Sequence, residues 1–145
     1  QAPDVTFRVA ALTEMSPSLL SMVRYPNVVL YQNISQDRIK EVLRMSSIYL
    51  DINHYGEVQG IVRKTFEHKQ VILGFAHTLH DRRYIARENI FEQGKEADLV
   101  NRIKEIYQSV DRYEEALASQ ISQSSAVDKE VFRARFQAGL GDENV

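Results

Sequence analysis

Asn53, His54, Tyr55, Glu57, His77 and His80 are the side chains of this 145-residue sequence whose types and spacing best suit a site. They fall in two short polar segments. Asn53-His54-Tyr55-Gly56-Glu57 follows the apolar run Ile48-Tyr49-Leu50-Asp51-Ile52, and His77-Thr78-Leu79-His80 follows Val71-Ile72-Leu73-Gly74-Phe75. Imidazoles and a carboxylate can move protons, ligate metal or hydrogen-bond a polar ligand. The metal readings fail on spacing. His77 and His80 stand three apart with no third carboxylate at a clear helical position. The segment opening at Asp51 mimics a calcium loop but carries Tyr55 at its fifth position and Val62 at its twelfth, where a bidentate Glu is needed. No metal and no cofactor is expected. A Ser-His-Asp or paired-carboxylate site cannot be argued from spacing, because such sites gather residues distant in sequence. Arg82-Arg83 could hold phosphate, but a solvated pair is the simpler reading. His68 suits a helix C-terminus, where imidazolium favours the dipole.

These segments need a scaffold, and the pattern supplies one. Short apolar runs alternate with segments of helical period. Residues 5–12 read as a strand. Ser16 followed by Pro17 then opens a short helix through about Met22. Val28-Val29-Leu30-Tyr31 is a second strand. Ser35 caps the next helix, with Ile34 and Ile39 at staple spacing and Val42 and Leu43 continuing its apolar stripe. The sequon Asn33-Ile34-Ser35 is explained by that cap. Ile48-Tyr49-Leu50-Asp51-Ile52 is the third strand, and Val58, Ile61, Val62, Thr65 and Phe66 recur on one helical face. Residues 71–75 form a fourth strand and 89–91 a weak fifth. A long helix follows, its apolar side running from Leu99 and Val100 through Ile103, Ile106, Tyr107 and Val110 to Leu117. Asp111, Arg112, Glu114 and Glu115 read as its exposed surface. Ser122-Gln123-Ser124-Ser125 predicts a polar break, residues 127–137 one more helix, and Gly139, Gly141 and the acidic end a frayed tail.

Strands separated by helices, with continuous apolar strand cores, predict βα units: a Rossmann-like α/β fold with a parallel sheet and helices on both faces. The domain is expected over residues 1–120, with a C-terminal helix and tail over 121–145. In such sheets the ligand crevice lies beyond the carboxyl ends of the strands. The loops at residues 13–15, 32–33, 53–57 and 74–80 would line it.

Composition bounds the rest. Lys plus Arg number 18 against 20 Asp plus Glu, a net charge of -2 without the basic excess of a nucleic-acid binder. Hydrophobic residues make up 43%, which excludes disorder as the main state. With no cysteine, thiol chemistry and disulfides are excluded, and a reducing cytoplasm fits. The start, Gln1-Ala2-Pro3-Asp4, has no secretory character. No apolar run approaches the ~18 residues of a spanning helix. Opening without Met and entering a strand almost at once, the sequence reads as a piece of a longer protein. No dinucleotide or phosphate-loop glycine pattern occurs.

Residues 48–75 add a resemblance. Ile48-Tyr49-Leu50-Asp51-Ile52-Asn53-His54-Tyr55-Gly56-Glu57-Val58, then a helix, then Gln70-Val71-Ile72-Leu73-Gly74-Phe75, resembles the C-terminal half of GT-B glycosyltransferases. There a loop reading roughly E-G-F-G-x-x-x-x-E-A precedes a helix ending in G-x-P-V-I. Anchoring Gln70-Val71-Ile72 on P-V-I puts Tyr55 at the first Glu and Arg63 at the second, which in the family accepts from the nucleotide ribose. Gly56 keeps one glycine; His68 and Gln70 replace another glycine and the proline. Arg63 has donors and no acceptor, and Tyr55 carries no charge at neutral pH. Restoring Glu57 or Glu67 by a two-residue slip would turn the helix by about 200° and move its apolar face off the sheet. The donor site reads as dismantled.

Residues 5–17, Tyr25-Pro26-Asn27-Val28 and Tyr49-Leu50-Asp51-Ile52-Asn53-His54 further resemble the stabilising, non-catalytic subunits of the accessory Sec glycosyltransferase. That resemblance implies a cytoplasmic protein of Gram-positive bacteria, with peripheral attachment at the inner membrane face through a partner or missing segment. Its partners would be a catalytic glycosyltransferase subunit, which adds N-acetylglucosamine to Ser and Thr, and the serine-rich adhesin that accepts the sugar. Nucleic acid is not an expected partner. Asn53, His54, Tyr55, Gly56, Glu57, Arg63 and His77 would form the degenerate donor site or acceptor surface. The alternative is an active retaining GT-B enzyme using a UDP-sugar, with Arg63, Arg82 or Arg83 on the diphosphate and His54 or Glu57 on the sugar. A third reading is an interaction domain unrelated to sugars. A complete domain of this kind begins with a central strand upstream of residue 5, so a gap is expected between the strands at Val5 and Ile48. It would be closed, or filled by a partner or a second copy in a homo-oligomer.

Overall fold

The computed structural model describes residues 2–58 and 60–142. It is an α/β fold whose strands, where their direction is defined, run parallel. The order is β1 (Phe7–Ala10), α1 (Pro17–Leu20), β2 (Val28–Tyr31), α2 (Gln36–Arg44), β3 (Ile48–Asp51), α3 (Ile61–Glu67), β4 (Val71–Phe75), β5 (Ile90–Phe91), α4 (Glu96–Ile106) and α5 (Val110–Asp142). The strands form two hydrogen-bonded sets, β1-β2 and β3-β4-β5. Packing separates two compact units, residues 1–49 and 50–145.

In the first unit, β1 and β2 pair in register from Phe7 with Val28 to Ala10 with Tyr31. Parallel pairing requires a crossover. Here it is α1 and a 3-10 turn at Ser21–Arg24. Ser16 caps α1 by accepting from the Leu19 N–H at 3.3 Å, and Pro17 sits where a helix needs no N–H. Ser35 caps α2 in the same way through the Arg38 N–H at 3.2 Å. Asn33 takes the left-handed conformation ahead of that cap, at φ 52°. Asn27 ties the N-terminal segment down by donating to the Ala2 and Val5 carbonyls.

The second unit is built round β4. Val71, Ile72 and Leu73 are fully buried, as expected of a central strand covered on both faces. β5 pairs with its C-terminal end, Gly74 opposite Ile90 and Phe75 opposite Phe91. α3 contributes Ile61, Val62 and Thr65 to the core, and α4 contributes Leu99, Ile103 and Ile106. Gly60, at φ 66°, makes the left-handed entry to α3, a conformation glycine adopts without strain.

Two helical expectations are corrected. The apolar stripe from Leu99 to Leu117 belongs to two helices, because the chain breaks between Ile106 and Val110. The polar run Ser122-Gln123-Ser124-Ser125 is no break: α5 continues through it to Asp142. Ser124 is buried there, and Gln123 bonds the chain at Arg87 and Glu88. These polar groups serve the packed face of the helix. Of the expected frayed tail, Gly139 and Gly141 lie within α5, and residues 143–145 lie outside the described residues.

α5 meets the rest of its unit through side chains that read backbone. Gln120, 1% exposed, accepts from the Ile72 N–H at 2.9 Å and donates to the Gln70 carbonyl at 2.9 Å. Its amide thus meets the start of β4 as a neighbouring strand would. Three residues on, Gln123 accepts from the Arg87 N–H at 2.8 Å. Tyr113 donates its hydroxyl to the Lys69 carbonyl at 3.1 Å.

Candidate functional site

The carboxyl ends of β3 and β4 carry the two polar segments singled out above. Asp51 closes β3 with its side chain fully buried, an expensive place for a carboxylate unless it is hydrogen-bonded. His80 supplies the bonds. Its backbone N–H donates to Asp51 Oδ2 at 2.8 Å, and its ring Nδ1 lies 2.5 Å from Asp51 Oδ1. The other ring nitrogen, Nε2, lies 2.6 Å from the Tyr55 carbonyl oxygen. Thr78 completes the join by donating to the Asp51 carbonyl at 2.8 Å.

A carbonyl only accepts, and a carboxylate accepts when ionised. Facing an ionised Asp51, both ring nitrogens of His80 are called on to donate, which is the imidazolium form. The Tyr55 carbonyl and the Asp51 carboxylate hold its pKa above the ordinary histidine value, against the opposing effect of burial, and Glu57 adds to the rise. The pairing has the Asp-His half of a catalytic triad, but its second nitrogen faces backbone instead of a nucleophile. A base so occupied cannot take a proton from a substrate.

The close fit depends on Gly74. A Cβ there would lie 2.4 Å from Leu79 Cδ2 and 2.6 Å from the Asp51 carbonyl oxygen. Any side chain would push β3 and the loop after β4 apart. By contrast, Gly56 has open space around it.

The predicted site residues divide into two groups. Asn53, His54, Tyr55 and His77 share the exposed rim of the β3 and β4 loops. Asn53 Oδ1 accepts from the Tyr55 N–H at 3.0 Å, and the rings of His54 and His77 stand 5.4 Å apart. Phe75 backs His77 at 5.8 Å. Tyr55 is held at its N–H and its C=O, yet its side chain is the most exposed large apolar one among the described residues, at 82%. Glu57 and Arg63 are employed elsewhere. Glu57 accepts from the Val62 N–H at 3.0 Å and caps α3, for which Gly60 has no side chain. Arg63 donates to Glu67 at 2.9 Å, one turn along the same helix.

The arginine pair is also partnered. Arg83 grips Asp81 in a fork of two bonds, at 3.0 and 2.8 Å, and this holds the Asp81 carboxyl below its usual range. Arg82 donates to the Ala76 carbonyl at 3.2 Å. Among the described residues no group of three or more His, Asp or Glu is placed to hold a metal.

Sequence reasoning passed over the Asp51–His80 pair. His80 fell among the crevice histidines and Asp51 in a rejected calcium loop, but their contact spans 29 positions. The available signal was an acidic residue ending an otherwise apolar strand, which must find a donor.

A buried carboxylate ends one strand and a polar rim lies over its neighbour in this α/β domain. The chain belongs to the GftB/GlyA-F C-terminal domain family, whose model matches residues 1–120. It is 48% identical, over 96% of its length, to the UDP-N-acetylglucosamine–peptide N-acetylglucosaminyltransferase stabilizing protein GtfB of Streptococcus pneumoniae serotype 4. Against the protein of the same description from Streptococcus gordonii, identity is 46% over 98% of the chain. The chain spans about a third of these relatives, 31% and 32% of their lengths. Among solved structures it is similar to a chain of the GtfA/B complex bound to UDP and GlcNAc. The TM-score is 0.77 at 45% identity, covering 92% of this chain and 31% of that one.

Proposed function

We propose that this chain is the C-terminal domain of a non-catalytic subunit of a protein O-glycosyltransferase complex. It stabilises a catalytic partner and helps hold the serine-rich acceptor polypeptide. The observation that carries this reading is the 46–48% identity, over nearly the whole chain, to two proteins described as stabilising an N-acetylglucosaminyltransferase. The site chemistry supports it. Tyr55 and Arg63 stand where glycosyltransferases of the resembling pattern carry two carboxylates, and Arg63 is engaged with Glu67. His80, the best-placed base, is committed at both nitrogens. Asn53, His54, Tyr55 and His77 then form a polar and aromatic rim suited to extended polypeptide, which offers amides and hydroxyls.

The proposal includes a cytoplasmic location, an acceptor of the serine-rich adhesin class and work alongside the accessory Sec system. Among the described residues no helix is long and apolar enough to cross a membrane. Attachment at the inner membrane face would run through the partner or through a segment outside this chain.

Titration of UDP and UDP-N-acetylglucosamine into the full chain tests the reading. The expected result is no binding tighter than about 1 mM by the subunit alone. A raised melting temperature of the catalytic partner on mixing would accompany it. Transfer of sugar by the subunit on its own would overturn the proposal.

A further inference from the structure

We propose that His80 is a protonation-dependent clamp that fixes residues 52–56 against the loop after β4, and that loss of its ring proton releases them. The argument is geometric. Asp51 is a fixed anchor, since it is fully buried and its two oxygens take the backbone and the ring of His80. The imidazole bridges from that anchor to one acceptor in the loop, the Tyr55 carbonyl at 2.6 Å. Among the described residues, the hydrogen bonds of residues 52–56 are this one and the Asn53–Tyr55 turn, which is internal to the loop. His80 is therefore the hydrogen-bonded tie between that segment and its surroundings, beside the ring contact of His54 with His77.

The other charges near the ring fit the same picture. Asp51 and Glu57 favour its positive form. Asp81, next in sequence, is neutralised by Arg83. Among the described residues no cation acts on His80 in the opposite sense. If the imidazole gives up a proton from Nε2, that nitrogen presents a lone pair to the Tyr55 carbonyl oxygen. An attraction becomes a repulsion across 2.6 Å. If the proton leaves Nδ1 instead, the buried Asp51 carboxylate loses a donor. Either way the tie weakens.

The sign follows. A raised pKa in the folded chain means the clamp is complete at pH below the ordinary histidine value. It is lost as pH rises through the higher folded value. The exposed Tyr55 ring, carried by the clamped backbone, would keep its place below the ordinary histidine pKa and lose it above the raised one. This inference concerns the loop and does not depend on what the rim binds.

The test is NMR of the full chain labelled with 15N at histidine and in the backbone. The resonance lost in His80→Gln identifies the ring. The expected result is a His80 that keeps both ring protons above the ordinary histidine pKa. With the same midpoint, the Tyr55 and Gly56 amides should shift, and Tyr55 exchange should rise about tenfold or more beyond its intrinsic pH dependence. His80→Gln should remove that pH dependence, and Asp51→Asn should lower the midpoint. A His80 that titrates at or below the ordinary value, or loop amides indifferent to its titration, would overturn the proposal. Both readouts come from the unsubstituted protein, where through-bond correlation from the His80 backbone also assigns the ring, so failure of either variant to fold leaves the test decisive.

Discussion

At the scale of single residues, the site is fixed by one absence and one charge. Gly74 is required by steric fit, since the nearest atoms to a Cβ include the backbone carbonyl of Asp51, which cannot swing aside. Gly74→Ala is expected to cost about 1–3 kcal/mol, in the range of overpacked cores, and denaturant unfolding would measure it. Gly56→Ala, made where a Cβ meets nothing, should cost less, and the pair separates close approach from glycine content. The sequence displayed Gly74 only as one letter in an apolar run. The distance that makes it necessary arises when β3 lies beside β4, and no local pattern records that. The rim was easier to read, because Asn53, His54, Tyr55 and His77 sit just past two recognisable strands. Glu57 and Arg63 have local contacts that one dimension does not record. The helix start and the Glu67 carboxylate claim them in three.

At the scale of elements, strands and caps were legible because their causes are local: apolar runs, a serine before a proline, a serine before an amphipathic turn. The course of the C-terminal helix was not. Its inward face carries Tyr113, Ala116, Gln120 and Ser124, separated by three and four residues as a helix requires, but two of the four are polar and buried. A pattern sought in apolar residues misses a face whose task is to satisfy backbone. Gln120→Leu keeps the bulk of the side chain and removes both bonds. It strands the Ile72 N–H and the Gln70 carbonyl, at a cost of about 2–4 kcal/mol if neither finds water. A thermal or denaturant melt checks it. A loss below about 0.5 kcal/mol, the level of ordinary surface substitutions, would show that the amide contributes no net stability.

At the scale of the whole molecule, α5 is out of proportion to the core it serves. Its 33 residues extend for about 50 Å, and residues 128–138 are all exposed. Phe132 and Phe136, 70% and 60% exposed, stack on each other at 6.5 Å. Phe132→Asp with Phe136→Asp is accordingly expected to change stability by no more than about 0.5 kcal/mol per site. A larger fall in melting temperature would mean that these rings are covered in the protein as it exists. The fold class was readable from alternation alone, whereas the division into two sets of strands depends on pairings that no local pattern encodes.

The glutamines of α5 have one more consequence. Gln120 and Gln123 grip the chain at residues 70, 72 and 87 by main-chain atoms, and every amino acid except proline offers the same N–H at 72 and 87. Freedom to vary is therefore lopsided. For these bonds the gripped positions can exchange side chains at little cost, while the two gripping amides have few substitutes. As the sequence drifts, this helix should keep its seat longest where the seat is least particular about what it holds.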